Sequence, residues 1–598
     1  SYLPLADENL LKQAAKQYDK KAFPKALKTL DKLLERYPKH AKVLSLKAKT
    51  QHQLGHTEDA FLTAKAGLRA DMKSYECWET LGLINRSRQN YTESASCFGR
   101  ALQYNPESIH SMTNLGSLYT QLRNYPALQK VRHSLLIKQS NAVNNWIGYA
   151  VALHLNGGYS TAIDVIGSLL VSEAMKADLK PYDINQLILY KVRLFIDNRN
   201  FNEALAFLKA ESARIKDKPK ADTRRVEALI GLERLVEAKT AVMKLLQINS
   251  EDSSYHDLLK KCLSPDEQLS SYRVLQSEFP SSNYIALKVL KLSSGVEFAA
   301  ELDKFVKAKL RKGVPSVFSD LKSFYLEPEK TEIIAKVLEA HLSSLKSHQA
   351  LAVVNYDELS WAPDTKKELP TVYLWTLYLQ AWHYYFTGNY AAGLESADEA
   401  IRHTPTLPDC YMVKARILYK MGSVSEAAAI ADHGKSIDMN DRYLSNVAAK
   451  IWLKAGEVAK ANETMAPFCK EASNELNIHL VQNCWYELAR AQALLQTGEV
   501  QRAAEDFRQV WSHYEEYLQS QFEYHNYCLH RVNMEEYVDF LAFIDSVTKG
   551  KQPRQAGIGL LRCKQQDPGT NIAGVVEAIN KNFPGDVELQ NLISQVSQ

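Results

Sequence analysis

The chain has little of what secreted, metal-scaffolded or membrane proteins depend on. Its eight cysteines (77, 97, 262, 410, 469, 484, 528 and 563) are scattered, with no C-x-x-C pair and no two closer than fifteen residues. That excludes a zinc-finger framework and a disulfide scaffold, and it predicts reduced thiols in a reducing compartment. No apolar run approaches the roughly 18 residues that a membrane span needs, and the opening SYLPLADENL lacks the basic and apolar regions of a secretory leader. The expected setting is therefore cytosolic or nuclear. Glycine (24) and proline (19) are sparse among the 598 residues, too few for a low-complexity or disordered chain. No alternating β-branched segment bounded by turn residues interrupts the sequence.

What the chain does have is a repeat. Leu10, Leu44, Trp78, Met112 and Trp146 recur every 34 residues, and sixteen positions after each stand Ala26, Ala60, Ser94, Leu128 and Ala162. This is the tetratricopeptide period, most complete in the repeat holding Trp78, Leu81, Gly82, Phe98, Ala101 and Pro106. Small residues such as Gly82 let paired helices approach, large ones fill the space between pairs, and proline ends the second helix because it has no N–H to donate. The register breaks by eight residues between Ala162 and Ala204 and resumes at Ala238. It returns in Gly388, Gly422 and Gly456, then steps by 42 to Gly498. Length alone would suggest about four domains, but nearest-neighbour stacking gives one continuous core. The predicted fold is an all-α tetratricopeptide-type solenoid, a right-handed superhelix of ring or horseshoe form. It divides into an N-terminal array (1–250), degenerate helical repeats (251–370), a second array (371–545) and an unassigned tail (546–598) that fits one helical hairpin.

Catalytic motifs are absent or misplaced. HGKS at 433–436 ends like a phosphate-binding loop, but Ala429 stands where the first glycine belongs and no strand precedes it. RQAGIG at 554–559 matches the R-x-x-G-x-G pyrophosphate loop of acetyl-CoA-dependent acetyltransferases, again without the strand that aims its amides. The adjacent pairs Glu515/Glu516 and Glu535/Glu536 point about 100° apart on a helix, so neither forms a facing acid/base pair. Neither G-x-S-x-G nor H-E-x-x-H occurs.

Charge is uneven. The net charge is +4, yet the first fifty residues hold twelve Lys/Arg against five acids, a local +7. Lys12, Lys16 and Lys20 follow one helical row; Lys25, Lys28, Lys32, Arg36 and Lys39 descend the next helix. Such rows put cations on one face, which is either a solvated surface or a contact for RNA phosphates without sequence specificity. A second cluster lies in KARILYK and DRYLSNVAAKIWLK, where Arg416 and Lys420 are one turn apart and Arg442, Lys450 and Lys454 share a helix. If adjacent repeats bring the two helices together, the cations suit a polyphosphate or an acidic segment; otherwise they are ordinary surface charge.

Several stretches together resemble a particular family. DMKSYECWETLGLINRSRQNYTES (71–94), NNWIGYAVALHL (144–155), KGVPSVFSDLKSFY (312–325), TLPDCYMVKARILYKMGSVSEAA (406–428), DRYLSNVAAKIWLKAGE (441–457) and FEYHNYCLHRVNMEEYVDFL (522–541) are similar, in order and spacing, to the large auxiliary subunit of the NatA N-terminal acetyltransferase complex. The match runs to about residue 545, and past it none is evident. The resemblance implies a non-enzymatic scaffold that wraps a small catalytic N-terminal acetyltransferase subunit, which binds the acetyl-CoA. The scaffold tunes that subunit toward small N-terminal residues and anchors it near the ribosomal exit tunnel, cytoplasmic and ribosome-associated with some nuclear pool. It also implies a second acetyltransferase or a regulatory protein as further partners, ribosomal RNA against the basic first repeat, no membrane contact, and inositol hexakisphosphate as a structural ligand on Lys420, Arg442, Lys450 and Lys454. The aromatics Trp375, Tyr378, Trp382, Phe522, Tyr524 and Tyr527 are candidate partner-docking residues; the alternative is that they fill grooves between repeats. From another class, the rival function is a co-chaperone-like tetratricopeptide adaptor for acidic peptide tails.

In QFEYHNYCLH (521–530), His525, Cys528 and His530 look like metal ligands. On one continuous helix Cys528 and His530 are about 160° apart and cannot share a tetrahedral ion. His525 and Cys528 instead fall on an apolar stripe with Phe522, Leu529, Val532, Phe540 and Phe543, the pattern of a packing face. No metal site is expected.

Overall fold

The computed structural model describes residues 3–172, 179–357, 360–469 and 476–596. It is a succession of helical hairpins, as the 34-residue period requires. Helices Ala41–Gln53, Tyr75–Ser87, Ile109–Gln121 and Val143–Leu155 begin 34 residues apart and alternate with Thr57–Ala70, Tyr91–Tyr104, Tyr125–Lys138 and Tyr159–Val171. The small positions carry the close approaches: Ala26, Ala60 and Ala162 are fully buried, and a Cβ on Gly82 would stand 2.8 Å from the Phe98 ring. No helix among the described residues is long and apolar enough to cross a membrane.

Many of the hairpins reverse through one residue in the left-handed region. Gly55, Gly157, Gly388, Gly422, Gly456 and Gly498 hold this place, with φ between 79° and 88°. Lys21, Gln89, Arg123, Arg199, Glu233 and Val532 hold it elsewhere, at φ 57° to 60°. Glycine adopts this conformation without cost, whereas a side chain there is strained by roughly 1–2 kcal/mol.

The chain forms two compact units. The first joins residues 1–241 to 516–545. In it the short helices Gln521–Glu523 and Tyr524–His530 and the longer Met534–Val547 pack against the N-terminal array. Leu529, Val532, Met534, Tyr537 and Leu541 share a core with Ile147, Ile188 and Tyr190. The helix assumed across 522–543 is broken at Val532, which corrects the apolar stripe: Phe543 lies 56% exposed. Val532 falls 34 residues after Gly498, so the same turn recurs with a residue that hides it.

The second unit comprises 242–515 and 546–598. It contains the one departure from all-helical structure among the described residues, an antiparallel hairpin of Ala350–Asn355 and Ser360–Lys367. Gln349, at φ 54°, ends the helix Pro328–His348, and in the apolar ALAVVN that follows Ala350, Leu351 and Ala352 are buried before exposed Val353, buried Val354 and exposed Asn355. The strand is tied to buried Asp303, whose carboxylate accepts from His341 Nε2 at 2.6 Å and Tyr356 OH at 2.8 Å, while the Ala352 N–H donates to His341 Nδ1 at 3.2 Å. Burial alone would raise the Asp303 pKa, but the hydrogen bonds from His341 and Lys307 outweigh it and hold the carboxyl below its usual range.

Both apparent nucleotide motifs are helical. HGKS lies at the end of Val424–Ile437, and RQAGIG lies inside Lys551–Gln566. There Gly557 faces Ile579 and Trp511, and a Cβ on Gly559 would stand 2.4 Å from the Phe507 ring, so these glycines serve helix packing. In the tail, Val575–Asn582 and Val587–Val596 both pack on Lys551–Gln566.

Candidate functional site

The helix Pro408–Lys420 and its successor Arg442–Lys454 bring cations and aromatic rings together. Arg416 lies over the Trp382 ring at 5.5 Å, Arg442 over Phe468 at 5.4 Å and Lys450 over Trp485 at 4.5 Å. Such stacking holds a charged head while leaving its hydrogen-bonding groups available. Lys450 and Lys454 line a groove of about 240 Å³ with Trp485, Gln492 and Gln496. Partial burial, and then the charge of Arg416, lower the Lys450 pKa. An arriving anion would reverse that shift.

These cations form no ion pairs with acids among the described residues. Neighbouring Lys414, Lys435 and Lys460 have ion-pair partners in Asp398, Asp432 and Glu457. Among the described residues no acid pairs with Arg416, Lys420, Arg442, Lys450 or Lys454, and Arg416 Nε is buried without a hydrogen-bond partner. Lys420 is exposed at the end of its helix and does not line the groove. The aromatic floor was invisible in sequence because Phe468 and Trp485 lie on later helices than the cations they support.

The basic first repeat is displayed in full. Lys12, Lys16, Lys20, Lys25, Lys28, Lys32, Arg36 and Lys39 are all exposed. Lys12 pairs with Glu8 at 3.1 Å and Arg36 with Asp7 at 2.8 Å; the other six have no acidic partner among the described residues. The two rows therefore remain uncompensated except at their edges.

The aromatic candidates divide. Tyr378 and Trp382 are buried in the core of the second unit, with Trp382 stacked on Phe318 at 3.8 Å, and Trp375 is half-buried over Gly313. Phe522 is buried, stacked on Tyr91. These rings are consumed by the chain's own packing, so the expectation that Tyr378, Trp382 and Phe522 face a partner is corrected. Tyr524 and Tyr527 are half exposed.

In QFEYHNYCLH, both His525 nitrogens are engaged: Nδ1 with Tyr537 OH at 2.8 Å and Nε2 with Gln121 Oε1 at 2.7 Å. Burial, and then Arg123 and Arg132, push its pKa down to about 3. The segment around it is gripped by charge. Arg123 pairs with Asp545 at 2.9 Å, Arg193 with Asp539 at 3.5 Å, Lys220 with Glu535 at 2.6 Å, and Arg224 with Glu535 at 3.3 Å.

These features define a helical-repeat scaffold with a cationic, aromatic-floored groove and an uncompensated basic end. The model of the family "N-terminal acetyltransferase A, auxiliary subunit" matches residues 182–564, and that of the Psidin N-terminal tetratricopeptide repeat region matches 15–246. The chain belongs to the NatA auxiliary subunit family. It is 33% identical over 590 residues to the NatA complex auxiliary subunit NAA15 of Arabidopsis thaliana, covering 96% of this chain and 64% of that relative. To the human N-alpha-acetyltransferase 16, NatA auxiliary subunit, it is 30% identical, covering 99% and 69%. The chain thus spans about two thirds of the length of these relatives. A solved structure of Naa15/Naa10 bound to HypK-THB matches with a TM-score of 0.86 at 25% identity, over 99% of this chain and 91% of that one. The family match continues to residue 564, past the point near 545 where the resemblance of the quoted stretches ends.

Proposed function

We propose that this chain is the non-catalytic auxiliary subunit of a NatA-type N-terminal acetyltransferase, holding a small catalytic subunit that binds acetyl-CoA. The observation that carries this reading is the likeness, over 99% of the chain, to a protein solved together with Naa10. The mechanism is allosteric scaffolding: a partner held over a large helical surface is shifted toward the conformation the surface binds best, here one that accepts small N-terminal side chains. Tyr524 and Tyr527 are the exposed aromatic candidates for that surface.

Two anionic contacts complete the reading. Arg416, Arg442, Lys450 and Lys454, cations with no ion-pair partner among the described residues, suit inositol hexakisphosphate as a structural ligand, with exposed Lys420 at the margin. The lysines of the first repeat meet ribosomal RNA phosphates and hold the complex at the ribosome in the cytoplasm. A second acetyltransferase or a regulatory protein would join on surface left free. The peptide-tail adaptor is disfavoured, because Arg123, Arg193, Lys220 and Arg224 are already paired with acids of the chain's own segment 516–545.

Co-purification tests the proposal. The expected result is a tightly bound small partner and acetyl-CoA-dependent acetylation of peptides with small N-terminal residues, with no activity in the isolated chain. Activity without a partner, or recovery of acidic-tailed peptides in place of an acetyltransferase, would overturn it.

A further inference from the structure

A cluster of ligating side chains lies in the second unit, apart from the groove residues above. The short helix Leu476–Leu480 carries His479, the helix Cys484–Gln496 carries Glu487, and Val500–Ser520 carries His513. His479 Nδ1 stands 2.5 Å and His513 Nε2 2.9 Å from the same Glu487 oxygen, Oε1. One ligand atom from each residue lies within 4.8 Å of the others. Glu487 is fully buried and His513 is 8% exposed. The second Glu487 oxygen, Oε2, is buried with no hydrogen-bond partner.

The surrounding charges sharpen the case. Arg490 pairs with Asp506 through two 2.7 Å bonds, and Glu487 has no Lys or Arg partner in an ion pair among the described residues. Asp506 Oδ1 also lies 3.5 Å from His479 Nε2, so the His479 ring stands between two carboxylates. A neutral imidazole has one proton for two acceptors. With that proton on Nδ1 the ring donates to Glu487 Oε1; moved to Nε2, toward Asp506, it leaves the Nδ1 lone pair to ligate a cation beside Glu487. The carboxylate–histidine–metal relay has this geometry, an outer acid fixing the tautomer of a ligating histidine.

We propose that His479, Glu487 and His513 bind a zinc ion, with Asp506 and Arg490 as its supporting shell. Two imidazoles and one carboxylate form a donor set suited to zinc, with a fourth position open to water, whereas calcium and magnesium require mostly oxygen ligands. Zinc bonds of about 2.0–2.1 Å place tetrahedral ligand atoms roughly 3.3 Å apart, so the two contacts to Oε1 open by less than about 1 Å to admit the ion. Glu487 lies two residues after Trp485, the ring beneath Lys450. The ion therefore pins Leu476–Leu480 to the helix that floors the cationic groove. Residue order hides this cluster, because the ligands sit on three helices with no recurrent metal spacing.

The test uses the full untagged chain, alone or with its co-purified partner. Metal content by plasma mass spectrometry should be stoichiometric zinc, removable by a chelator with a lower melting temperature and restored by zinc. Cobalt substitution should give the visible absorption of a low-coordinate N/O site. Glu487→Gln, which keeps size and hydrogen bonding, and His513→Ala should each weaken zinc binding by about tenfold or more. If a variant fails to fold, competition of the wild-type chain against a chromophoric chelator still decides. Only trace zinc, a melting temperature indifferent to chelator and zinc, or equal zinc affinity in Glu487→Gln would overturn the proposal and leave a protonated hydrogen-bond network.

Discussion

His525 Nε2 and Gln121 Oε1, 404 residues apart in the chain, lie 2.7 Å from each other. The contact fastens the late segment to the face presented by the first helices of successive hairpins. Because burial and two arginines depress the His525 pKa to about 3, this histidine stays neutral when folded but takes a proton near pH 6.5 when unfolded. Its contribution is full above pH 6.5 and is lost as pH falls toward 3. Between pH 7 and pH 5 this removes about 2 kcal/mol. The variant His525→Gln should show a flatter melting temperature over that interval than the wild type, measured by thermal unfolding at each pH.

Glu535, almost fully buried, is the acid on which Lys220 and Arg224 converge. Replacing it by Gln removes the charge they share and leaves Lys220 to Glu536 and Arg224 to Glu227. The expected cost is about 1–2 kcal/mol, with faster proteolytic release of 516–545 as the local signature. Unchanged stability and protection would show that the segment is held by its apolar contacts alone.

The turn position offers a paired test. Gln89 stands exposed at φ 60°, and Gln89→Gly should relieve strain and stabilise by about 1 kcal/mol. At Gly422, where φ is 88° and a Cβ would meet nothing within 4 Å, Gly422→Ala should destabilise by about 1 kcal/mol through backbone strain rather than clash. Opposite shifts in denaturant midpoint check the assignment; shifts of the same sign would refute it.

The Asp303 carboxyl, held below its usual range by His341 and Lys307 against the opposing effect of burial, contributes stability that is complete above its unfolded pKa near 4 and disappears as pH falls through the folded value. Asp303→Asn should cost about 3 kcal/mol at neutral pH and loosen the hairpin 350–367 first, read as loss of amide-exchange protection at Ala352.

For the anionic contacts, the reversal Lys25→Glu, Lys28→Glu and Lys32→Glu should abolish ribosome co-sedimentation at moderate salt while leaving the melting temperature intact. Each lost phosphate contact lowers the salt dependence of binding by about one counterion. Lys12→Glu should do less, because Lys12 already pairs with Glu8. Separately, Lys450→Glu should weaken inositol hexakisphosphate binding by at least about tenfold in titration calorimetry; equal affinity would remove Lys450 from that site.

The period of 34 made the hairpins, their small positions and the basic rows readable from residue order, because each depends on neighbours within one repeat. Leu10 to Trp146 and the glycines from 388 to 498 suffice for that. The hairpin at 350–367 escaped because ALAVVN is too short to separate strand from buried helix by pattern. Val532 disguised a turn that its spacing from Gly498 would have disclosed.

By itself, then, the sequence determined the helical-repeat class and which surface is basic, since local periodicity and composition encode both, while six particular stretches carried the family resemblance. Only the tertiary structure decided which cations rest on aromatic rings, that Phe522 and Trp382 serve the core, that His525 meets Gln121, and that His479, Glu487 and His513 converge. Those relations join residues from eight to more than four hundred positions apart, and packing, not spacing, brings them within bonding distance.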